Sequence, residues 1–327
     1  MQRRKLIQAL GAAVLALAAG PGSNALAQDY PARPIRLIVP FAPGGVSDTS
    51  ARVIADKLGQ RLGQQVVVDN RPGASGNIGT AMAAQAAPDG YTLLLGFDGT
   101  MVINPHVFAK VPFDTVKDFV PISKIGDAAL ILITHPSVPA KNLSELVAYS
   151  RTTSAGLSYG SAGTGSTPHL AGELLKARTG LNMVHVPYKG GGQAMGDLVG
   201  GTLPVLFTAV AGAQQYVKNG KANAIAVSAA KRVPSLPDVP TLAESGVPGF
   251  VSDSWVGLLA PANTPKEIVD KLARELNAVV NMPDTRERLA TLGIVPSGNT
   301  SEAFASEIQN DLKKYSEIVK TAKIRVQ

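Results

Sequence analysis

The sequence predicts an α/β fold of two successive units. Three observations predict it. Short apolar runs (Ile35–Val39, Gln65–Asn70, Thr92–Gly96) are separated by stretches with a 3.6-residue apolar period. Glycine-rich turns stand at the ends of those runs. The same βαβαβ order recurs from Ala128 onward. Strands alternating with helices argue for largely parallel pairing.

Composition allows this. A chain of 327 residues, 45% hydrophobic and 17% charged, can bury two ordinary cores and is unlike a disordered one. The first 27 residues are set apart from the fold. Arg3, Arg4 and Lys5 head an apolar run, Leu6 to Ala19, too short to span a bilayer comfortably, and Ala25-Leu26-Ala27 makes a small-x-small cleavage pattern. Residues 1–27 are therefore expected to be a cleaved signal peptide, with the exported chain starting at Gln28. General secretion and twin-arginine export both fit the Arg3-Arg4 pair.

The formal charge is +7, of which the leader contributes three cations and no anions. The remaining excess is scattered (Lys218, Lys221, Lys231, Arg232, Lys313, Lys314), and only 5% of residues are aromatic, so a nucleic-acid partner is not expected. Cysteine is absent, which removes thiolate chemistry and Cys-ligated metals.

In order, Ile35–Val39 reads as a buried strand, followed by the turn Pro40–Gly45 and a helix over Ser50–Gly63. A strand feeding a glycine turn and a helix start leaves N–H groups aimed outward, with the helix dipole behind them: a seat for a carboxylate or phosphate. Gln65–Asn70 is the second strand, Ile78–Ala86 a small-residue helix and Thr92–Gly96 the third strand, ending in the polar loop Phe97-Asp98-Gly99-Thr100. Loops at the carboxyl ends of such strands should converge.

The second unit starts with the strand Ala128–Thr134 and a helix over Ser144–Ser150, capped by Asn142 or Ser144. Leu157–Tyr159 leads into a second glycine loop, Gly160–Ser166, and a helix over Thr167–Arg178 with Pro168 in its first turn. Met183–Val186, Pro204–Phe207 and Ala224–Ser228 are strands, with a short helix at Gln193–Val199. Lys231–Gly249, with its four prolines, reads as a connector. Trp255–Ala260 is a strand, and helices are expected over Pro265–Val280, Thr285–Leu292 and Ser301–Thr321. The terminal helix is expected to pack back on the first unit. Residues 28–126 with 230–327 then form one lobe and 127–229 the other, joined by crossings near Gly126–Asp127 and Ser228–Ala230, in hinge geometry. Taken singly, each glycine loop is equally well an ordinary strand-to-helix turn. Together they suggest a ligand held between lobes.

Catalytic patterns are lacking. There is no G-x-S-x-G elbow, no HExxH spacing among His106, His135, His169 and His185, no G-x-G-x-x-G at a strand end and no Walker A pattern. Ser166 and His169 could touch, but no acid stands at a predictable place to orient them. No metal, cofactor or catalysis is expected. A secreted hydrolase using Ser166 and His169 is the remaining enzymatic alternative.

Motifs over nearly the whole chain after the leader resemble one family. They include PIRLIVPFAPGGVSD (Pro34–Asp48), VVVDNRPGASGNIGT (Val66–Thr80), APDGYTLLLG (Ala87–Gly96), SYGSAGTGSTPHLAGELL (Ser158–Leu175), HVPYKGGGQAMGDLVGG (His185–Gly201) and WVGLLAPANTPKEIV (Trp255–Val269). The chain resembles the periplasmic solute receptors of tripartite tricarboxylate transporters, the Bug receptors. The resemblance implies a two-lobe type II periplasmic-binding-protein fold, each lobe a sheet flanked by helices, closing on its ligand. It implies a monomer in the periplasm that captures a small carboxylate solute and delivers it to a membrane permease; a periplasmic sensor would use the same fold.

Carried over, it assigns the ligand carboxylate to Ala42, Gly44, Gly45 and Asp48 in one lobe and to Ser161, Gly163, Thr164, Gly165 and Ser166 in the other. His169 could add a donor or be a helix-surface histidine. Asp98 and Thr100, in the loop expected to vary with ligand, are further ligand-binding candidates; Asp98 could receive an amine or hydroxyl of the ligand, or equally well be a turn-forming residue. One departure stands out. Gly201 is followed by Thr202, Leu203 and Pro204, where the family carries an aspartate, so no role is carried over to that site.

Overall fold

Strand β1 (Ile35–Val39) is almost wholly buried, as its apolar run requires. A computed structural model describes residues 30–43, 46–188 and 190–322. The expected signal peptide lies outside the described residues, as do Gly44, Gly45 and Lys189. After β1 come α1 (Val46–Leu62) and β2 (Val66–Asn70), then a 3-10 turn over Ala74–Gly76 and α2 (Asn77–Ala84). Strand β3 (Thr92–Phe97) runs through Asp98 into a π-helical turn, Gly99–Ile103, and the short α3 (Asn104–Val107).

Next, β4 (Phe119–Ala128) and β5 (Leu130–Thr134) are separated by Ala129 alone. Helix α4 (Leu143–Ser150) has a reciprocal cap: Asn142 accepts from the Glu145 N–H at 2.9 Å, and Glu145 takes the Lys141 N–H at 2.8 Å. Then follow β6 (Leu157–Ser161), α5 (Thr167–Thr179), β7 (Met183–Pro187), α6 (Gly191–Val199), β8 (Val205–Ala209), α7 (Val210–Lys218) and β9 (Asn223–Val227). The chain closes with β10 (Ser254–Pro261), α8 (Lys266–Val280), α9 (Pro283–Thr291), β11 (Ile294–Pro296) and α10 (Ser301–Ala322).

The described strands form two sheets, a six-stranded one in the order β11-β4-β10-β3-β1-β2 and a five-stranded one in the order β7-β6-β8-β5-β9. The α/β, two-lobe reading of the sequence describes this architecture. The expectation of largely parallel pairing does not. β1 is parallel to β2 and β3, and β6 to β7 and β8, but β10 is antiparallel to β3 and β4, β11 to β4, and β5 to β8 and β9. The reason is the double crossing. A strand that carries the chain out of a sheet lies beside the strand that brings it back, and the two run in opposite directions; β4 with β10 and β5 with β9 are these pairs. Apolar periodicity carries no information about strand direction.

The run Ala128–Thr134, expected to be one strand, is thus split between the two sheets. β4 itself goes unread in the sequence because Pro121, Ser123, Lys124 and Asp127 interrupt its pattern. Lys124 is tied to Asp127 at 3.0 Å and to Glu307 at 2.7 Å, which lets a cation sit mostly buried on that strand.

The connector does not follow the expected lobe boundary at residue 230. Val233, Leu236 and Val239 share a core with Ile131, Leu206 and Val210, and Leu242, Val247 and Phe250 share one with Leu132 and Phe207. These apolar residues cover the five-stranded sheet, so the chain returns to the other sheet only near Ser252–Ser254. The terminal helix behaves as expected and more. Phe304, Ile308, Tyr315 and Val319 pack with Met101, Val102 and Trp255 of the first sheet's core, and α10 also touches α5.

Two glycines test this packing. A Cβ on Gly257 would overlap the Phe304 ring, whereas one on Gly212, exposed in α7, would meet nothing. Gly257→Ala is expected to cost about 1–3 kcal/mol through overpacking. Gly212→Ala is expected to add up to about 1 kcal/mol through helix propensity. Thermal unfolding of the two variants should therefore shift in opposite directions.

Candidate functional site

Carboxyl ends of strands from both sheets face one cavity of about 600 Å³. The six-stranded sheet contributes Phe41 after β1, Phe97 to Thr100 after β3, and Ser254 at the start of β10. The five-stranded sheet contributes Ala162–Ser166 after β6, the first turn of α5, and Tyr188 after β7. A somewhat larger groove, about 720 Å³, runs beside α1 and β2, but it is more open and far from both glycine loops.

The loop into α5 is held from beneath. Gly163 (φ 131°) and Gly165 (φ 79°) adopt backbone conformations that a side chain resists, which is why glycine stands at both. Ser161, fully buried, accepts the Gly163 N–H at 3.1 Å and lies 2.7 Å from His185 Nε2. Ser166 donates its hydroxyl to the Gly163 carbonyl at 2.7 Å. The Gly165 N–H goes to His169 Nδ1 at 3.0 Å, and the His169 ring stacks on His185 with centroids 3.7 Å apart. Burial pulls His169 down to about 4 and His185 down to about 3, so both rings are neutral at pH 7 and His169 can accept at Nδ1. Tyr159 continues the support: its hydroxyl donates to Glu173 at 2.7 Å, and Glu173 holds Lys176 at 2.9 Å.

Four of the second-lobe candidates, Gly163, Thr164, Gly165 and Ser166, line the cavity. Ser161 and His169 instead support the loop from below. The expected Gly165 donor is already used by His169. Ser166 and His169 form no nucleophile pair, because the hydroxyl serves Gly163 and the imidazole serves Gly165. Among the described residues, the N–H groups of Thr164 and Thr167 have no acceptor, and they stand at the positive end of α5.

The first-lobe candidates are placed differently. Gly44 and Gly45 lie outside the described residues. Ala42 is exposed and does not line the cavity. Asp48 is buried, paired with Arg52 at 2.9 Å and accepting from Asn70 Nδ2 at 3.0 Å, while the same amide donates to the Phe41 carbonyl at 3.0 Å. Asp48 therefore ties the start of α1 to the end of β2. The side chain this turn presents to the cavity is Phe41, which meets Phe97 edge-on at 5.6 Å. Thr100 lines the cavity too, with its hydroxyl donated to the Ser75 carbonyl at 3.1 Å; Asn104 supports the same carbonyl at 3.0 Å.

Asp98 joins the two sides. Its side chain is buried in the cavity wall, accepting from Thr167 Oγ1 at 2.8 Å and from the Ser254 hydroxyl. Burial pushes its carboxyl up to about 6 against the pull of these donors. Sequence reasoning missed the parts played by Thr167 and Ser254; the only signal was a hydroxyl residue at a helix or strand start. Trp255 is in the core, donating to Asp311 at 2.9 Å, and Phe207 is buried in the second sheet's core.

A pH consequence follows. A carboxyl raised by folding holds its proton more tightly in the native state, so the stability that Asp98 contributes is fully present below about pH 4 and is lost as pH rises through about 6. Asp253, also pushed up to about 6 by burial, acts in the same sense. Asp98→Asn is expected to make that decline shallower without abolishing it, read from urea unfolding at stepped pH. An unchanged slope would show that Asp98 titrates normally.

Residues 50–324 match the family model described as "Tripartite tricarboxylate transporter family receptor". The chain is 34% identical over 321 residues to Protein BugT of Bordetella pertussis, covering 98% of each. Among solved structures it is similar to the periplasmic binding protein BugD, with a TM-score of 0.78 and 36% identity over 91% of this chain and 100% of that one. It is likewise similar to the R. palustris protein Rpa4515 with adipate, with a TM-score of 0.81 and 34% identity over 91% and 99%.

Proposed function

The chain belongs to the tripartite tricarboxylate transporter receptor family, and from that premise we propose that it captures a small carboxylate-bearing solute between its two sheets and delivers it to a membrane permease. The observation that carries this reading is the start of α5. Two N–H groups without acceptors, those of Thr164 and Thr167, belong to residues that line a cavity to which both sheets contribute. The Thr164 hydroxyl is a further donor there. The adipate bound by the R. palustris relative is a carboxylate of the size this cavity accommodates.

In this reading residues 28–128 and 254–327 form one lobe, and 130–253 the other. The hinge is organised on Ser228. Its N–H donates to the Leu130 carbonyl at 2.9 Å and its hydroxyl accepts from the Leu130 N–H at 3.1 Å. Its carbonyl accepts the Ser252 N–H at 3.2 Å, and its hydroxyl donates to Asp253 at 2.9 Å. Both crossings thus meet at one residue. The location that goes with this role is the periplasm, reached by means of the leader. Catalysis has no place in it, since Ser166 and His169 are each committed to the loop.

A thermal-shift panel of carboxylates tests the reading. A true ligand at one hundred times its Kd stabilises the folded state by about 2.7 kcal/mol, a rise in Tm of several degrees. Silence across the whole panel would remove the carboxylate assignment. Thr164→Val, which deletes one donor hydroxyl at nearly constant shape, is expected to weaken binding about three- to tenfold, the worth of one hydrogen bond. Unchanged affinity would place the carboxylate elsewhere.

A further inference from the structure

The proposed seat already holds an acid. Asp98 is 1% exposed, lies in the cavity wall, and accepts its hydrogen bond from Thr167, the residue whose N–H stands at the start of α5. A solute carboxylate bound at that helix start is therefore the second carboxylate at one cavity wall. No lysine, arginine or histidine stands among the described residues lining the cavity. Three hydroxyl donors of the cavity wall are already committed to acids of the protein: Thr167 and Ser254 give their hydroxyls to Asp98, and Tyr188 gives its hydroxyl to Asp197 at 2.8 Å.

Groups behind Asp98 do not neutralise it. On α10 the nearest are Asp311, which adds negative charge, and the buried Tyr315 phenol, itself pushed up in part by Asp98 and Asp311. The charge of Asp311 is partly met by Lys314 at 3.5 Å and by Trp255 Nε1. On the approach to β10, Asp253 is a further carboxyl, bound to Ser228. On α5 the neighbour is the neutral Thr167, and on the π turn it is the Gly99 N–H. Two carboxylates sharing one site, without a cation, resolve by protonating one of them.

We propose that capture of the solute carboxylate is coupled to uptake of one proton by Asp98, so that the bound carboxylate and Asp98 together carry one negative charge and not two. This rests on the carboxylate reading above. The solute enters as an anion, the proton comes from water or buffer, and Asp98 changes from acceptor to donor; no other bond is made or broken. The burial that lifts free Asp98 to about 6 brings this protonation within reach. Release at higher pH returns solute and proton together.

Calorimetry of the full exported chain with benzoate, succinate and adipate tests this between pH 6.5 and 8.0, in phosphate and in Tris. For whichever of the three binds, the expected affinity rises about tenfold for each unit of pH lowered. The heat should differ between the two buffers by the equivalent of about one proton taken up per ligand. Asp98→Asn should bind with a flat pH profile and a buffer-independent heat. A flat profile or buffer-independent heat in the unmodified protein overturns the proposal while leaving the receptor reading intact. So does a variant that keeps the pH dependence, or one that loses binding at every pH. No heat with any of the three acids counts against the carboxylate reading, and the proposal falls with it.

Discussion

The carboxylate of Asp98 accepts one hydrogen bond from Thr167, which begins α5 over the five-stranded sheet, and another from Ser254, which begins β10 in the six-stranded sheet. A buried carboxylate is costly unless its lone pairs are filled, so its geometry requires both hydroxyls to be near at once. That requirement draws the start of α5 toward the polar loop after β3. It also makes the electrostatics of the cavity depend on one titrating group.

The other half of the cavity is built on restraint. An anion seat made of backbone N–H groups works only if the loop that carries them stays in place. Here the positive-φ glycines set the turn, Ser161 and Ser166 brace Gly163, and a neutral histidine takes the Gly165 amide. The stacked His169–His185 pair and the Tyr159–Glu173–Lys176 chain lie beneath it. Polar side chains in this region mostly serve the backbone.

Much of this was legible in the sequence. The strand end at Val39, the strand ends expected at Gly96 and Tyr159 and observed at Phe97 and Ser161, the helix start at Thr167 and the glycine loop before it all follow from local pattern, because turn chemistry and apolar period act over a few residues. The motif-level resemblance named the family, and the comparisons agree with it. Less legible were β4, whose Lys124 and Pro121 break the alternation, and α7, a helix of only nine residues. The partners of Asp98 were not legible at all: Thr167 is 69 residues away and Ser254 is 156.

By itself, then, the sequence determined the kinds of element, their order, and which turns end at the same side of a sheet; each is set by neighbours along the chain. Tertiary structure decided strand direction, the side on which the connector packs, and the division of labour among the site candidates. Asp48 became a brace, His169 an acceptor for Gly165, and Asp98 a bridge between sheets. The physical reason is the same in each case. A donor or an apolar face is spent on whichever partner folding brings near, and that partner can lie anywhere in the chain.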